Sequence, residues 1–567
     1  MTSVPRRRWW SAAITAVATA LVIVAVIAVS AVQLGSTAQA GTTPREEVSQ
    51  APVDLTPLPI PTATAVPEPT PLPTRTPAAT RIENVVLVLA DDLDWATFRQ
   101  VPRLAALQAE GLTLTNLTVT DSLCCPSRVS ILRSQFVHNH KVVSNVYESG
   151  GGWLTFANLG EENDCLPVWL RSAGVQTAMF GKYLNGYGKT APTPEYVPPG
   201  WDRWFVPVTD GAMYRGFGYT INSNGTLIDY GYAKKDLIND VLTDSAVQYL
   251  RNARQPFFAQ LSLTAPHDPF PVAKRHRDAG KGAQVPRTPA YNAVGAAEPL
   301  WRARLLPLND RQLGKLDRKW RKRVQSAESV ADAVARVRVT LRAAGKEDST
   351  LIIVGSDNGF HAATRRMTPG KRTPYAEDTV VPYVLIGPGI AGGSVMDKMT
   401  STIDLAPTIT ELLGGTVPAF VDGRSLVPFL DGQPASWRTG MLTESLSDPQ
   451  PGDPDYSTFR PPQFSALRTQ RWLYVEYKDG SRELFDRYAD PSEVNNIIAT
   501  ADPGLVAALQ AQLQALNECS GAQCRVADAM SDAPIPVPAS ASPTASPSAS
   551  PTTSPSASPT ASPTPAG

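Results

Sequence analysis

The 567-residue sequence has few of the side chains from which zinc sites are built. It contains five histidines and five cysteines, with no His-x-x-x-His segment and no cysteine pair at the spacing of zinc ligands. Basic and acidic residues are equal in number, at 52 each, so the formal net charge is zero. Steering of a polyanion by the field of the whole molecule is therefore not indicated, and the sequence carries no motif for binding nucleic acid.

Long apolar runs are also absent, except near the N-terminus. Three arginines at positions 6–8 precede an apolar run over residues 9–32, and residues 38–40 read Ala-Gln-Ala. This pattern predicts a signal for export, but the run approaches the ~20 residues that span a bilayer. Residues 1–40 are therefore either a cleaved signal peptide or an N-terminal membrane anchor, and we expect the protein to be secreted or held at the cell surface.

Proline is distributed unevenly along the chain. Residues 41–81 and 529–567 combine proline with Thr, Ser and Ala and hold much of the 52 prolines. This composition predicts an extended linker before the folded part and a disordered tail after it, because neither segment can bury a core. We divide the part between them into a large domain over residues 82–430 and a small C-terminal subdomain over residues 431–528.

Polar side chains follow four predicted strands, at the point where each strand ends. The strands are apolar, as in buried parallel sheets, and the ligands of open α/β sheets gather beyond the carboxyl ends of such strands. The strands cover residues 84–90, 175–180, 257–263 and 350–354, and they are followed by Asp91-Asp92, Gly181-Lys182, Ala265-Pro266-His267 and Ser356-Asp357-Asn358-Gly359. The sequence therefore predicts a single site built from acids, a lysine, a histidine and an amide.

Four of these side chains offer only oxygen to a metal: Asp91, Asp92, Asp357 and Asn358. Oxygen suits a hard cation, so we expect Ca²⁺, or alternatively Mg²⁺, to bind there. The alternative for Asp92 or Asp94 is that the carboxylate only caps the helix that follows. The acid–amide pair at a second strand end favours the metal site.

Residues 124–128 read Cys-Cys-Pro-Ser-Arg, which is the most informative segment of the chain. Proline suits the first position of a helix, so Pro126 predicts that Cys124 lies at a helix N-terminus, where free N–H groups favour an anionic substrate. Taken alone, the adjacent cysteines can also be a vicinal disulfide or two buried thiols.

Together these motifs resemble the type I sulfatase family, in which the first cysteine of Cys-x-Pro-Ser-Arg is oxidised to Cα-formylglycine (3-oxoalanine). The sequence is most similar to the branch of N-acetylglucosamine-6-sulfatases and related glycosaminoglycan 6-O-sulfatases. The segments that carry this likeness are the doubled cysteine, His138-Asn139-His140, Phe180 to Asn185, Gly359-Phe360-His361, Lys371-Arg372 and the Cys519 to Cys524 loop. The resemblance extends over roughly residues 82–527.

The resemblance implies a role for each motif residue. Cys124, as formylglycine, is the nucleophile: one hydroxyl of its hydrate attacks sulfur and the other later expels sulfate, and the same group or the bound sulfate adds an oxygen to the metal site. Arg128 hydrogen-bonds the hydrate, and Lys182 and Lys371 neutralise sulfate oxygens. His267 protonates the leaving alkoxide, the alternative being a loop histidine with a structural role.

One position departs from the pattern of many sulfatases, which carry a histidine two residues after the lysine matched by Lys182. Leu184 stands there, as in the 6-sulfatase branch. Which group helps to deprotonate the hydrate is therefore open. The candidates, each of which is alternatively structural, are His138, His140, Asn185 and His361. His276 lies in a basic run, and we expect it at the surface.

The odd number of cysteines is explained if Cys124 is modified. Cys519 and Cys524 are close enough in sequence to close a small disulfide loop, which suits a protein outside the reducing cytosol. Cys125 and Cys165 either pair or stay as buried thiols, and the sequence does not decide between them.

These observations predict an α/β fold: a doubly wound, mostly parallel sheet of the alkaline-phosphatase type with a small C-terminal α+β subdomain. The predicted activity is hydrolysis of a sulfated carbohydrate, with 6-O-sulfated N-acetylglucosamine as the substrate that the resemblance implies. A formylglycine-generating enzyme is the implied partner in maturation. The alternatives are a broad arylsulfatase, a phosphonate monoester hydrolase or phosphodiesterase on the same scaffold, and a non-catalytic, surface-anchored binding protein.

Overall fold

The computed structural model describes residues 82–432, 436–449 and 461–530. The segments that we interpret as the signal peptide or anchor (residues 1–40), the linker (residues 41–81) and nearly all of the tail lie outside the described residues. Within the described ranges, no helix is both long and apolar enough to cross a membrane.

A ten-stranded sheet forms the centre of the large domain. Its four inner strands are β1 (Asn84–Ala90), β4 (Gln176–Gly181), β8 (Phe257–Ser262) and β9 (Thr350–Ser356). They lie in the order β9-β1-β8-β4 and are parallel throughout. These are the four strands predicted from the sequence, and the predicted α/β class is confirmed.

Six further strands complete the sheet on its two sides. Beyond β9 lie β10 (Tyr383–Ile386), β2 (Leu112–Leu114) and β11 (Ser394–Met396), and beyond β4 lie β5 (Arg203–Pro207), β6 (Tyr219–Ser223) and β7 (Thr226–Tyr230). Strands β10, β6 and β7 pair with their neighbours in antiparallel fashion. Two short parallel strands, β3 (Leu117–Thr118) and β12 (Thr400–Ser401), form a separate sheet.

Alternate residues of β1 face two separate cores, as the two-residue period of a strand requires. Val86 and Val88 belong to the core that includes the helices Ile238–Asn252 and Asp310–Ala343. Val85 and Leu87 belong to the core that includes the helices Cys124–Arg133, Leu166–Ser172 and Leu405–Leu412. Helices therefore cover both faces of the sheet, which explains why its inner strands are apolar on both sides.

The helix Asp310–Ala343 is longer than the sequence predicts. The apolar pattern indicates a helix only from residue 330, because the preceding residues are dense in charge. The helix begins at a capping box, in which the Asn309 side chain accepts from Gln312 N and the Gln312 side chain accepts from Asn309 N. The remaining helices of the large domain are short: Trp95–Gln100, Pro102–Ala105, Val137–His140, Gly152–Asn158, Tyr187–Thr190, Asp210–Arg215, Leu300–Ala303, Ala376–Thr379 and Val427–Leu430.

A four-stranded antiparallel sheet lies in the C-terminal part of the chain. Its strands are β13 (Gly440–Ser445), β14 (Phe464–Thr469), β15 (Trp472–Tyr477) and β16 (Arg482–Asp486), and β15 and β16 form a hairpin. The helix Pro503–Glu518 packs on this sheet and is followed by Ala522–Ala527. Cys519 and Cys524 form a disulfide, whereas Cys124, Cys125 and Cys165 are buried free thiols.

Candidate active site

The carboxyl ends of the four inner strands bring the predicted site residues to one edge of the sheet. These residues are Asp91 and Asp92 after β1, Lys182 after β4, His267 after β8, and Asp357 with Asn358 after β9. Main-chain hydrogen bonds extend the pairing beyond the strands: Asp91 N donates to Ala265 O at 3.1 Å, and Asp357 N donates to Ala90 O at 3.2 Å. The loops are therefore held in register with the sheet.

Two positions at these strand ends have unusual backbone geometry. Asp92 has a left-handed φ of 67°, which aspartate tolerates better than most residues, and its N–H donates to Asp357 Oδ1 at 3.1 Å. Gly181 has a φ of 98°, and a Cβ there would lie 1.9 Å from the carbonyl oxygen of Ser262. Only glycine therefore lets β4 approach β8 closely enough to place Lys182 at the site.

Cys124 is the first residue of the helix Cys124–Arg133, which is buried along its whole length. The helix begins two residues earlier than Pro126 predicts, because a proline is tolerated within the first turn, where its missing N–H has no acceptor in the helix. Cys124 Sγ lies 3.4 Å from Asp91 Oδ1 and 2.7 Å from Lys371 Nζ. The predicted nucleophile thus lies between an acid and a lysine.

Both lysines bind the acids that follow β1. Lys182 Nζ donates to the two carboxylate oxygens of Asp91 at 2.9 and 2.8 Å. Lys371 Nζ donates to Asp92 Oδ1 at 2.7 Å. All four side chains are buried, and such short charge-assisted bonds are strong. The two ammonium groups therefore flank Cys124 at the positions where an anionic substrate would need them.

Arg128 joins the helix of Cys124 to two strand ends. Its Nε donates to Asp357 Oδ2 at 2.8 Å, and its Nη1 donates to the carbonyl oxygen of Lys182 at 2.8 Å. Its Nη2 lies 3.8 Å from Asp91 Oδ1. The guanidinium group is buried and fixed from two sides, so it is positioned to orient the group at Cys124.

The surrounding charges set the ionisation of these groups. Burial opposes charge on Asp91, but Lys182 and the other nearby cations lower its pKa well below the ordinary value. The pKa of Asp357 is raised, because burial outweighs the attraction of Arg128. Burial also raises the pKa of the Cys124 thiol, which Lys182 offsets only in part. A protonated, buried thiol is a weak nucleophile, so the encoded cysteine is poorly suited to attack without modification.

Two acids, a thiol and a histidine lie close enough together to hold a metal ion. Ligand atoms of Asp91, Asp92, Cys124 and His267 all lie within 4.8 Å of one another. Asn358 Nδ2 donates to Asp92 Oδ1 at 2.7 Å, and Asn358 Oδ1 is buried without a hydrogen-bond partner in the described part of the chain. An unpaired buried acceptor is costly, and a hard cation would satisfy it.

His267 lies at the rim of the site and is 8% exposed. Its Nδ1 donates to the carbonyl oxygen of Asp268 at 2.6 Å, and its Nε2 lies 3.8 Å from Asp92 Oδ2. The imidazole stacks on the ring of Tyr214 with 4.2 Å between the ring centroids. Nε2 is therefore the ring nitrogen that faces the acids.

Sequence reasoning missed two residues that hold these loops. Tyr214 lies in a short helix without a motif, and no sequence signal identifies it. Arg323 is fully buried; its Nη1 donates to Pro266 O at 3.1 Å and its Nη2 donates to Asp92 O. Position 323 shares the apolar face of its helix with Trp320, one turn before, so the helical pattern contained a signal for this residue.

Asp94, and not Asp92, caps the helix Trp95–Gln100. Its Oδ1 accepts from Thr97 N at 2.8 Å, and its Oδ2 accepts from Arg323 Nη2 at 2.7 Å. The capping interpretation thus applies to Asp94, whereas Asp92 Oδ1 accepts from Lys371 Nζ and Asp92 Oδ2 faces His267 Nε2.

Three of the candidates for deprotonating the hydrate, His140, Asn185 and His361, bind elements around the site. His361 Nδ1 lies 2.9 Å from Asp378 and its Nε2 lies 3.1 Å from Thr368 O, which shapes the loop before Lys371. His140 Nε2 lies 3.0 Å from Ser130 Oγ, and burial lowers the pKa of His140 to about 3. The carbonyl oxygen of Asn185 accepts from Trp153 N at 2.8 Å.

Two further histidines are bonded to acids. His138 Nδ1 lies 2.9 Å from Glu444 Oε1 and its Nε2 lies 2.9 Å from Cys519 O. The prediction that His276 lies at the surface was wrong: it is 7% exposed, and its Nε2 lies 2.7 Å from Asp332 Oδ2. Asp332 of the long helix pairs with both Arg275 and His276, and of the basic run only His276 is buried.

Comparison with protein families gives two matches. The family described as Sulfatase matches residues 83–415. The family described as N-sulphoglucosamine sulphohydrolase, C-terminal, matches residues 369–519.

Curated relatives include N-acetylglucosamine-6-sulfatase of Homo sapiens, which is 33% identical over 482 residues, 79% of this chain and 87% of the relative. The extracellular sulfatase SULF-1 homolog of Drosophila melanogaster is 32% identical over 386 residues, 65% of this chain and 33% of the relative.

Solved structures with the same fold include one in complex with its substrate D-glucosamine-2-N,6-O-disulfate. It has a TM-score of 0.65 and 21% identity, over 79% of this chain and 99% of the other. Phosphonate monoester hydrolase from Silicibacter pomeroyi has a TM-score of 0.55 and 25% identity, over 76% of this chain and 93% of the other. The resemblance and the alkaline-phosphatase-like fold predicted from the motifs are thus confirmed.

Proposed function

Because the chain belongs to the sulfatase family, we propose that it releases inorganic sulfate from 6-O-sulfated N-acetylglucosamine by means of a formylglycine made from Cys124. The observation that carries the proposal is the convergence of four strand ends on the N-terminus of one buried helix, with Cys124 Sγ 2.7 Å from Lys371 Nζ and 3.4 Å from Asp91 Oδ1. This position suits attack on a bound anion, and the helix N-terminus adds free N–H groups.

Three cationic side chains would bind and orient the sulfate ester. Lys182 and Lys371 would each exchange a carboxylate partner for a sulfate oxygen, and their charge would offset the charge that develops on those oxygens in the transition state. Arg128, fixed by Asp357, would orient the modified side chain. The formylglycine hydrate supplies one hydroxyl that attacks sulfur and a second that later releases sulfate.

His267 is the proposed general acid. A sugar alkoxide is a poor leaving group, so it must gain a proton as the ester bond breaks. Nε2 of His267 faces the site, 3.8 Å from Asp92 Oδ2, while Nδ1 is bound by the carbonyl oxygen of Asp268. The proton would therefore pass from Nε2 to the ester oxygen.

A divalent cation belongs to the proposed site. Asp91, Asp92, Asp357 and Asn358 would hold it, together with the modified Cys124, and their oxygens suit Ca²⁺ or Mg²⁺. Such a cation supplies positive charge against the sulfate oxygens. The three carboxylates and the three cationic side chains cancel formally, so a divalent cation would balance the two negative charges of the released inorganic sulfate.

The choice of sugar rests on the relatives. The curated relatives named N-acetylglucosamine-6-sulfatase support 6-O-sulfated N-acetylglucosamine. A relative named arylsulfatase supports, as an alternative, a broader activity on aryl sulfates. The likeness to a phosphonate monoester hydrolase supports hydrolysis of phosphonate monoesters as a second candidate.

The chain's organisation and location are also proposals. We propose a catalytic domain over residues 82–430 with a subdomain over residues 431–528, and export to the cell exterior. Relatives named extracellular sulfatase support export, as does the Cys519–Cys524 disulfide. A formylglycine-generating enzyme would act before or during export.

Mass spectrometry of the peptide that contains Cys124 tests the proposal most directly. Protein made with and without a formylglycine-generating enzyme should differ in the aldehyde content at this residue, and hydrolysis of N-acetylglucosamine-6-sulfate should follow that content. Full activity from protein with an unmodified thiol would overturn the mechanism.

A panel of 6-O-, 3-O-, 2-O- and N-sulfated sugars, an aryl sulfate and a phosphonate monoester assigns the substrate. Activity on the aryl sulfate without activity on any 6-O-sulfated hexosamine would defeat the sugar assignment.

A further inference from the structure

Tyr214 contacts two residues of the site although no motif contains it. Its ring stacks on the imidazole of His267, with 4.2 Å between the centroids and 25° between the planes. Lys182 Nζ lies 5.2 Å from the centroid of the same ring. The phenol hydroxyl group also hydrogen-bonds Lys182, and Asp91 and Cys124 lie near it. A single aromatic side chain therefore lies beside the proposed general acid and one proposed sulfate-binding lysine.

The backbone that carries Tyr214 is held against the loop that carries His267. The helix Asp210–Arg215 ends at Gly216, which has a φ of 82°, and a Cβ at Gly216 would lie 2.8 Å from Cβ of Pro271. Ile238 N donates to Gly216 O at 3.0 Å. The end of this helix thus packs on the segment just after His267, so the two rings are held together by their backbones as well as by contact.

The hydrogen bond of His267 Nδ1 is local in the chain. Nδ1 bonds the carbonyl oxygen of Asp268, the next residue in the chain, so that bond moves with the loop. The face of Tyr214 comes from a different part of the sheet, after β5, and restricts the ring independently. Stacked aromatic rings attract each other beyond the area that they bury.

We propose that Tyr214 is a positioning residue, whose ring holds the imidazole of His267 with Nε2 toward the oxygen of the leaving group. This inference rests on the proposed function and deepens it, because it concerns the step that sugar sulfates need and aryl sulfates with good leaving groups do not. The ring carries the effect on His267, whereas the hydroxyl group contacts Lys182.

The kinetic test compares Tyr214→Phe, which keeps the ring, with Tyr214→Leu, which removes it. Tyr214→Leu should lower kcat/KM for N-acetylglucosamine-6-sulfate by about 10- to 100-fold, since small misplacements of a catalytic group have effects of this order. Tyr214→Phe loses only the bond from the hydroxyl group to Lys182, so its effect should be the same on N-acetylglucosamine-6-sulfate and on p-nitrophenyl sulfate. Relative to Tyr214→Phe, Tyr214→Leu should lower hydrolysis of the sugar sulfate and change hydrolysis of p-nitrophenyl sulfate little. In a His267→Ala background, Tyr214→Leu and Tyr214→Phe should have equal effects on the sugar substrate.

A spectroscopic test does not depend on activity. The chain has five histidines, so nitrogen-15 labelling of histidine gives few ring signals, and His267→Ala assigns the relevant one. Ring current from Tyr214 should displace this signal in wild type and in Tyr214→Phe, and the displacement should vanish in Tyr214→Leu while the other histidines stay unchanged. If Tyr214→Leu impairs thermal stability, Tyr214→Met replaces it as a flexible side chain without an aromatic face.

Three results would overturn the inference: a difference between Tyr214→Leu and Tyr214→Phe that is equal on both substrates, a loss on the sugar substrate in Tyr214→Phe as large as in Tyr214→Leu, or a difference between the two variants that persists in the His267→Ala background. A wild-type protein without any sulfatase activity would refute the proposed function instead, and the histidine spectrum would then still decide whether the two rings stack.

Discussion

Cys124 is buried between Asp91 and Lys371, so its replacement should affect chemistry more than folding. We expect Cys124→Ala to lower sulfate-ester hydrolysis by more than about 10³-fold, the scale seen when a covalent nucleophile is removed. Cys124→Ser should be inactive or accumulate a covalent sulfate adduct, because a single hydroxyl cannot expel the sulfate. Intact-mass measurement after incubation with substrate detects the adduct, and turnover at the wild-type rate by either variant would contradict the scheme.

The activity lost on replacing His267 should be larger for a leaving group that needs a proton than for one that does not. His267→Ala should strongly reduce hydrolysis of N-acetylglucosamine-6-sulfate, by roughly 10²- to 10⁴-fold, and reduce p-nitrophenyl sulfate hydrolysis far less, since nitrophenolate leaves unprotonated. Steady-state kinetics on both esters measure the difference. His276→Ala is a matched control, because His276 is as buried as His267 but binds Asp332. Equal losses on the two esters would exclude a general-acid role.

Substitution of Asp357 tests whether the site binds a divalent cation. Asp357→Asn keeps the volume of the side chain but removes its charge. It should weaken the binding of Ca²⁺ or Mg²⁺ and abolish most of the activity. Chelation should inactivate the wild type, with Ca²⁺ or Mg²⁺ restoring it better than Zn²⁺, as oxygen ligands require. Asp317→Asn, which alters an exposed pair with Arg287, should leave metal dependence unchanged. Better rescue by Zn²⁺ would argue for a different metal chemistry.

At the scale of elements, a helix or strand could be predicted from the sequence where neighbouring residues carry its pattern. The strands β1, β4, β8 and β9 are apolar runs that end in polar residues, so both the strands and the residues after them were predictable. The full helix Asp310–Ala343 was not, because its charged first half covers the protein surface and pairs with other elements. Tyr214 reaches the site only through the pairing of β5 with β4, which no local pattern reveals.

The helix Asp310–Ala343 supports the site through Arg323, which binds Asp94, Pro266 O and Asp92 O. Arg323→Ala leaves Asp94 buried without its cation, and such a loss destabilises a fold by about 3–5 kcal/mol. Denaturant unfolding measures this effect. Arg321→Ala, on the exposed side of the same helix, should change stability by less than about 0.5 kcal/mol. Equal effects of the two substitutions would show that the buried cluster is not a support.

In the whole molecule, the C-terminal sheet and the large domain share a core. Trp301, Met367 and Tyr375 pack with Phe464 and Leu473 in one buried cluster. Buried pairs cross the same boundary: Arg302 Nη2 lies 3.1 Å from Glu483 Oε1, and Arg365 Nε donates to Glu493 O at 2.9 Å. The two parts should therefore unfold in one transition, although the sequence divides them near residue 430.

Two histidines should give the stability of the whole molecule opposite dependences on pH. Burial disfavours the charged form of His138, but Glu444, supported by Cys519 O, outweighs it and raises the pKa of His138 above 6.5. A raised folded-state pKa stabilises the protein fully below the unfolded value of 6.5, and this contribution is lost as pH rises through the folded-state pKa. For His140, burial lowers the pKa to about 3, so the native state loses stability as pH falls below 6.5.

Replacing each histidine with glutamine separates the two effects. The stability lost on His138→Gln should be largest in mildly acidic solution and should shrink as pH rises. The stability lost on His140→Gln should shrink, or reverse to a gain, as pH falls below 6.5, because the variant no longer has to keep a neutral imidazole buried. Thermal midpoints of the three proteins measured between pH 5 and 8 give both differences. Parallel curves for the two variants would contradict the assignment of Glu444 as the partner that keeps His138 charged.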